Sequence, residues 1–353
     1  MAEYTRTATA IVIIIICLLA FLRLNYNYIP IQTVTHGEEQ IEAPKLIHNS
    51  WRTAKSQAQI VKPTFPPDGI PAAQLEDAAI RPVERPHVPL VTYAYAESDY
   101  GRDNLKFFVA HGLHAAADFI FILNGDTDAD ETIIPKNLPN VKIIKRENTC
   151  FDLGAHAEVL SQKIGGGPNA KSLRDIYGKF ILMNASIRGP FIPHWSKECW
   201  TDAYLNKLND KVKLVGSSIN CMGGGPQHIQ SMIYATDRIG LSIMLLPEGI
   251  GECFPSLQAA MGGEVRTTPL IKSKGYHIDV MLMNFQSLPN YEYENCTING
   301  DFLYDGTYYG FSVNPFETIF IKTNRGISIR LVDQYTEWVD QSGYSSYDVC
   351  SIK

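Results

Sequence analysis

Three polar turns, each directly after an apolar run, hold most of the residues of this chain that could carry chemistry. The segments are DFIFILNGDTD from Asp118, VKIIKRENTCFDLGAH from Val141 and YGKFILMNASIRGP from Tyr177. In the second segment, Asp152 stands where the turn leads into a helix. A helix N-terminus presents free backbone N–H groups, so this turn could hold a phosphate. The alternative is that Asp152 only caps the helix.

The elements that must position these turns are strands of an α/β sheet. The runs are rich in Ile, Phe and Val without polar alternation, which is typical of strands covered on both faces. Turns at the carboxyl ends of such strands are where α/β proteins place ligands. One such turn could be an ordinary connection, but three in succession favour a binding crevice.

The flanking segments predict how the sheet is connected. A strand from His87 to Ala96 and a helix from Asn104 to Ala117 precede the strand at Asp118, which predicts a parallel βαβ unit. Further helices are predicted from His194 to Lys207 and from about Glu264 to Lys274.

Composition excludes several classes of protein. The chain has 353 residues, of which 45% are hydrophobic, so it can bury a substantial core and is neither disordered nor fibrous. Its net charge is -6, and it has no basic run of five or more residues. These features argue against a nucleic-acid partner.

The N-terminus carries an uncharged apolar stretch of 16 residues from Thr7 to Leu22. This is close to the roughly 17 to 25 residues that span a bilayer, so a signal anchor is expected, with a cleaved signal peptide as the alternative. A proline-rich segment follows and predicts an extended stem. The expected organisation is a cytosolic tail (1–6), a transmembrane signal anchor (7–24), a stem (25–89) and a luminal domain (90–353). The expected location is the Golgi or ER membrane, in single-pass type II topology.

Cysteine usage agrees with an oxidising lumen. Cys17 lies in the apolar stretch, and an even set remains: Cys150, Cys199, Cys221, Cys253, Cys296 and Cys350. Disulfides are therefore expected, although spacing cannot choose among their pairings. Asn295 begins an Asn-Cys-Thr acceptor sequence, which predicts a glycan on a luminal loop.

Four segments, in their order along the chain, resemble a known family. They are Glu147-Asn148-Thr149-Cys150-Phe151-Asp152-Leu153-Gly154-Ala155; Asn184-Ala185-Ser186 with Arg188-Gly189-Pro190; His228-Ile229-Gln230-Ser231; and Glu264 ten residues ahead of Lys274-Gly275-Tyr276. Their order is similar to that of the rhamnan-synthesis F family of glycosyltransferases, which are of the GT-A type. With the apolar N-terminus, the expected fold class is α/β, a GT-A-like Rossmann-type mixed sheet flanked by helices, behind an N-terminal transmembrane helix.

The resemblance implies transfer of a sugar from a nucleotide-diphosphate donor to a glycan or glycoprotein acceptor. It places Glu264 where inverting enzymes carry the general base, although a Glu that only begins a helix is the structural alternative. The positions implied for the donor are Asn148, Asp152, Gly154, Asn184, Ser186 and Arg188. Arg188 could offset the diphosphate charge, or could be an ordinary surface arginine. The positions implied for the acceptor are His228 and Gln230, although a lone histidine is more often a hydrogen-bonded structural residue. Apart from the resemblance, Trp195 and Trp200, with Tyr204, could form a platform on which an acceptor sugar stacks, or could pack a helix.

One position departs from the family pattern. Where GT-A enzymes hold a metal-binding Asp-x-Asp, this chain has Ala185 between Asn184 and Ser186. Because Mg²⁺ and Mn²⁺ prefer anionic oxygen, this turn is a poor ligand set. Three outcomes stay open: no metal, a metal held elsewhere, or an inactive site. Asp126 and Asp128 are the alternative metal ligands, although acidic runs are usually solvated loops.

Two other functions compete with sugar transfer. An inactive sugar-binding or scaffold protein on the same fold is favoured by Ala185, since fold does not fix function. A secreted hydrolase would need a nucleophile or a catalytic motif, and the sequence contains neither GxSxG nor HExxH.

Overall fold

The computed structural model describes residues 85, 87–164, 170–220, 226–287 and 300–351. Its strands are β1 (Leu90–Ala96), β2 (Asp118–Asn124), β3 (Val141–Arg146), β4 (Lys163–Ile164), β5 (Lys171–Ser172), β6 (Lys179–Asn184), β7 (Ile187–Arg188), β8 (Val212–Gly216), β9 (Ile219–Asn220), β10 (His228–Ile229), β11 (Ile233–Asp237), β12 (His277–Val280) and β13 (Ile321–Lys322). Its helices are α1 (Asp99–His111), α2 (Ala129–Thr132), α3 (Phe151–Ser161), α4 (Leu173–Ile176), α5 (Trp200–Leu205), α6 (Arg238–Met244), α7 (Leu257–Ser273), α8 (Met283–Ser287), α9 (Pro315–Thr318), α10 (Ile329–Ser342) and α11 (Ser346–Val349).

The central sheet has seven strands in the order β12-β8-β11-β6-β1-β2-β3. Strands β6, β1, β2 and β3 are parallel to their neighbours within this group, and β11 runs antiparallel between β6 and β8. The expected mixed α/β sheet and the parallel βαβ unit are therefore confirmed. Because β2, β3 and β6 run in one direction, the three polar turns leave the sheet at the same edge.

The pattern of burial follows the position of each strand. Every residue of β2 is buried, as its unbroken apolar run predicts. The prediction that all three runs are covered on both faces was wrong for β3, where Lys142 and Lys145 are exposed. The reason is that β3 lies at the edge of the sheet, with one strand neighbour.

Three helix boundaries differ from the sequence predictions. Helix α1 begins at Asp99, because the Ser98 side chain caps it by accepting from the Gly101 N–H. The segment from His194 to Lys207 is helical only over α5. Helix α7 begins at Leu257, with Ser256 as its cap. The sequence prediction began this helix at Glu264, because Gly262 and Gly263 are poor helix formers.

The interior is packed with aromatic side chains. Trp200 and Tyr204 are fully buried, and their polar atoms donate to the carbonyls of Gly112 and Thr318, at 2.8 and 2.6 Å. These two residues therefore belong to the core and form no exposed stacking platform.

Two disulfide bonds, Cys150–Cys253 and Cys199–Cys350, confirm that the chain uses its cysteines in pairs. Cys221 and Cys296 lie outside the described residues, as do Asn295, the apolar stretch at 7–24 and almost all of the predicted stem. Within the described ranges, no helix is long and apolar enough to cross a bilayer.

A buried histidine makes stability depend on pH. His114 is fully buried between Phe119 and Trp200, and burial lowers its pKa from 6.5 to about 4, with Asp202 opposing the shift. In the unfolded chain this histidine is protonated below pH 6.5, whereas in the folded chain it stays neutral down to about pH 4.

We therefore expect acid to destabilise the protein across that window. The unfolding free energy should fall by on the order of 3 kcal/mol between pH 6.5 and pH 4 from this histidine alone. Urea denaturation at a series of pH values measures it, and His114→Gln should reduce the dependence but not remove it, because burial also lowers the pKa of His156 to about 4. His87→Gln is the matched control because His87 is exposed. Equal pH dependence in both variants would contradict the assignment.

Candidate active site

The three polar turns meet at the carboxyl edge of the sheet. The Gly125 N–H after β2 donates to the Arg146 carbonyl at the end of β3, at 2.8 Å. The Arg146 guanidinium donates to the Asn124 side chain at 2.6 Å. Asn148 lies beside Gly125, because a Cβ on that glycine would lie 3.1 Å from the Asn148 Cβ. The Asn148 side chain is exposed to solvent.

The second and third turns are joined by a direct side-chain contact. The Asn184 amide at the end of β6 donates to the Asp152 carboxylate in the first turn of α3, at 2.5 Å. The other end of the Asn184 amide accepts from the backbone N–H of Ser186, at 3.0 Å, and from its hydroxyl. Three residues of the predicted donor site, Asp152, Asn184 and Ser186, therefore form one hydrogen-bonded cluster.

Asp152 does not cap α3, which begins directly after a disulfide-bonded cysteine. The N-cap residue is Cys150, which has a left-handed backbone and bonds to Cys253. The alternative in which Asp152 caps the helix was therefore wrong, because its carboxylate reaches across to Asn184.

Gly154 serves close packing on that disulfide. A Cβ at this position would stand 2.7 Å from the Cys150 Cβ and 3.2 Å from the carbonyl oxygen of Glu252. The glycine thus lets α3 approach the segment before α7. The approach of a donor phosphate to the Gly154 backbone stays a prediction.

Glu264 lies in the middle of α7 and faces the turn before β11. Its Oε1 atom accepts from the backbone N–H of Ser231, at 2.7 Å. The expectation that Glu264 stands at a helix start was wrong because α7 begins seven residues earlier, at Leu257. The helix dipole therefore gives Glu264 no special support, and its position is fixed by Ser231 instead.

Glu264 and Asp152 are linked through Asn184 and the turn before β11. Burial raises the pKa of Tyr234 well above its ordinary value, and the charges of Glu264 and Asp152 raise it further. Two carboxylates thus act on one buried phenol. In addition, the Asn184 N–H donates to the Met232 carbonyl at 3.2 Å, which ties β6 to the same turn.

The predicted acceptor residues have structural partners. The Gln230 amide accepts from Ser218 and donates to Asp301, at 2.5 and 3.2 Å. The Nδ1 atom of His228 lies 2.9 Å from the Pro226 carbonyl, which can only accept. In a neutral imidazole this contact puts the proton on Nδ1 and makes Nε2 the acceptor. Acceptor contacts at both residues stay predictions.

Arg188 and Trp195 contact residues outside the cluster of Asp152, Asn184 and Ser186. The buried Arg188 guanidinium donates to Asn104 at 3.0 Å and to Thr336 at 3.2 Å. Trp195 is 73% exposed and lines an apolar groove of about 590 Å³ with Phe316 and Trp338. Neither residue joins the Asp152 cluster through a described contact, and their roles in binding stay predictions.

The residues present fit a divalent cation poorly. Ala185 is 7% exposed, and a Cβ on Gly101 would lie 3.6 Å from the Ala185 Cβ, so position 185 is directed at α1. In the alternative site, Asp126 is exposed and the Asp128 carboxylate is paired with Arg102.

Among the described residues, the only group of three or more possible metal ligands is His114, Cys199 and Cys350. Its two sulfur atoms already form a disulfide. The described crevice therefore holds no cluster of three or more His, Cys, Asp or Glu side chains that could bind Mg²⁺ or Mn²⁺.

Sequence reasoning missed Lys322 and Arg325. Lys322 is on β13, which pairs with β7 directly after the Asn184 turn, and the Thr323 N–H donates to the Ser186 carbonyl at 2.9 Å. No motif marks these residues. The one available signal was the strand-like run in NPFETIFIKTNR, which places two cations at its end.

Comparison with known proteins gives a partial structural likeness. No family model matches the chain, and no curated protein matches it. Among solved structures, the mannosyltransferase PcManGT from Pyrobaculum calidifontis, in complex with GDP-Man and Mn²⁺, is 12% identical with a TM-score of 0.36. That match covers 59% of this chain and 60% of the other, so the chain spans about three fifths of that protein's length.

Two further structures are similar over shorter stretches. The glycosyltransferase GlyE from Streptococcus pneumoniae is 10% identical, with a TM-score of 0.28, and the match covers 44% of this chain and 35% of GlyE. An active-site mutant of LgtC is 11% identical, with a TM-score of 0.23, over 42% of this chain and 57% of the other. At these TM-scores the likeness is partial.

Proposed function

We propose that this protein is a glycosyltransferase that moves a sugar from a nucleotide-diphosphate donor to a glycan acceptor. The observation that carries the proposal is the set of contacts that joins Asp152, Asn184 and Glu264 at the carboxyl edge of the parallel strands. Asn184 donates to the Asp152 carboxylate and, through its backbone, to the Met232 carbonyl, and the N–H of the neighbouring Ser231 donates to Glu264. These positions come from separate segments that resemble the rhamnan-synthesis F family. A ligand crevice at this edge agrees with the general behaviour of α/β sheets.

The chemistry needs a base for the acceptor hydroxyl and a stabilised leaving diphosphate. Glu264 is the proposed base of an inverting reaction. Ser231 holds its Oε1, which leaves Oε2 to take the proton as the hydroxyl attacks. Asp152, oriented by Asn184, accepts hydrogen bonds from hydroxyl groups of the donor.

The test is a panel of nucleotide sugars on the full-length protein. Binding is measured by the rise in melting temperature, and donor cleavage by release of nucleoside diphosphate. A ligand that binds stabilises the protein by about 2.7 kcal/mol at a concentration of 100 Kd. If no nucleotide sugar raises the melting temperature, the proposed function is refuted.

A second candidate is a sugar-binding or scaffold protein without activity. The observation in its favour is Ala185, which stands where the family resemblance predicts a carboxylate. Nucleotide-sugar binding without donor cleavage or transfer, across a panel of glycan acceptors, would support this candidate over the first.

We propose further that residues 90–353 lie in the lumen of the Golgi or ER, behind a signal anchor at 7–24. The support is the apolar N-terminal stretch and the two disulfides, which form in oxidising compartments. Protease added to intact microsomes should leave the domain undigested, and detergent should expose it. Digestion without detergent would contradict the topology.

A further inference from the structure

Lys322 lies on β13, beside the turn that follows β6. Strand β13 runs antiparallel to β7, with Lys322 opposite Ile187. The next residue, Thr323, bonds through its backbone to the Ser186 carbonyl. Lys322 therefore sits one strand away from the turn that carries Asn184 and Ser186.

The charges of four other residues act on the Lys322 ammonium. Burial lowers the pKa of Lys322; Glu264, Asp152 and Asp301 oppose the shift, and Arg325 adds to it. The geometry that places Lys322 at the proposed site is the pairing of β13 with β7 and the Thr323–Ser186 bond beside the Asn184 turn, and the opposing effects of Glu264 and Asp152 agree with that placement. Arg325 follows Lys322 by three residues.

Each of the three carboxylates has a different hydrogen-bond partner. Asp152 is held by the Asn184 amide, Glu264 by the Ser231 N–H, and Asp301 by the Leu303 N–H and Gln230. Within the described ranges, the side chains of Lys322 and Arg325 form neither a hydrogen bond nor an ion pair. A partly buried ammonium without such a partner is unfavourable, so an anion that bridges the two cations would be stabilised.

We propose that Lys322, with Arg325 beside it, binds the diphosphate of the donor in place of a divalent cation. This inference rests on the proposed function. It accounts for Ala185, because a cation supplied by the chain removes the need for carboxylate ligands in the turn. In the reaction, the two side chains offset the charge that grows on the leaving diphosphate.

The experiment measures binding of UDP, GDP, CDP and dTDP, with the corresponding monophosphates, by isothermal titration calorimetry. Full-length protein is used, in excess EDTA and again in Mn²⁺. The variants are Lys322→Met, Lys322→Arg and Arg325→Gln. The matched control is Lys142→Met, because Lys142 is exposed on β3. Melting temperatures check folding, and Arg325 is exposed, so its variant tests the site even if Lys322→Met does not fold.

We expect at least one diphosphate to bind wild type in EDTA. Lys322→Met should weaken that binding by about 10- to 100-fold, down to the affinity of the monophosphate, while Lys322→Arg retains most of it. Arg325→Gln should weaken it by about 3-fold or more, and Lys142→Met should have no effect.

Three results would overturn the inference. Unchanged affinity in Lys322→Met, or in Arg325→Gln if the former does not fold, would refute the role of these cations and leave the proposed function standing. Binding by wild type only in Mn²⁺ would refute replacement of the metal, again without touching the function. Failure of every diphosphate to bind in either condition would refute the function and this inference together.

Discussion

Glu264→Gln should lower donor turnover by about 10²- to 10⁴-fold, the range for loss of a general base, while the melting temperature stays near that of wild type. The structure makes this variant informative. Glu264 Oε1 only accepts, from the Ser231 N–H. A glutamine oxygen can accept the same hydrogen bond, so the substitution keeps the structural contact and removes the basic oxygen.

The measurement is kcat beside melting temperature for each variant. Glu264→Ala should lose both turnover and about 1 kcal/mol of stability, since the Ser231 N–H loses its partner. Glu198→Gln is the matched control because Glu198 is exposed on another segment. A normal kcat in Glu264→Gln would remove the residue from the chemistry. His228 would then be the next base to test, because Nε2 of its neutral imidazole can accept a proton.

Removing the Cys150–Cys253 disulfide should cost both stability and donor affinity. Its cysteines are 103 residues apart, and loss of such a bond typically costs about 2 to 5 kcal/mol of unfolding free energy. Cys150 is also the N-cap residue of α3, one position before the helix begins and two before Asp152. The double variant Cys150→Ser/Cys253→Ser should therefore loosen the Asp152 carboxylate as well as the fold.

The second disulfide supplies the comparison. Cys199–Cys350 has a sequence separation of 151, so its removal should cost a similar free energy. It joins the start of α5 to the C-terminal segment, where no proposed donor residue lies. Denaturant unfolding and nucleotide titration, well below each variant's melting temperature, separate the two effects. Equal affinities in both double variants would show that the Cys150 bond does not position the site.

Much of the sheet could be predicted because each strand carries its own signal. The apolar runs that became β1, β2 and β6 need no information from elsewhere in the chain. The helices were harder, because their ends depend on caps and on glycines that tertiary packing requires. Gly263 is an example: a Cβ there would meet the ring of Phe254 at 2.4 Å, so α7 continues through a poor helix former.

The candidate site was predictable only where it follows from strand direction. Asp152 follows β3 and Asn184 ends β6, and both strands run in the same direction, so both residues lie at the same edge of the sheet. This could be expected from the two turns alone. Lys322 could not be found in this way. Its strand is two residues long and is recognised only through pairing with β7, beside a contact between Ser186 and Thr323 that are 137 residues apart.

The late position of β13 in the chain affects how the protein is made. The ribosome adds Asp152 and Glu264 to the growing chain before it adds Lys322. At ordinary rates of synthesis, roughly 10 to 30 s separate Asp152 from Lys322. During that interval the nascent sheet can form its central strands, but the crevice is more acidic than in the finished molecule. A polypeptide released before β13 would therefore repel the very anion that the complete protein is proposed to bind.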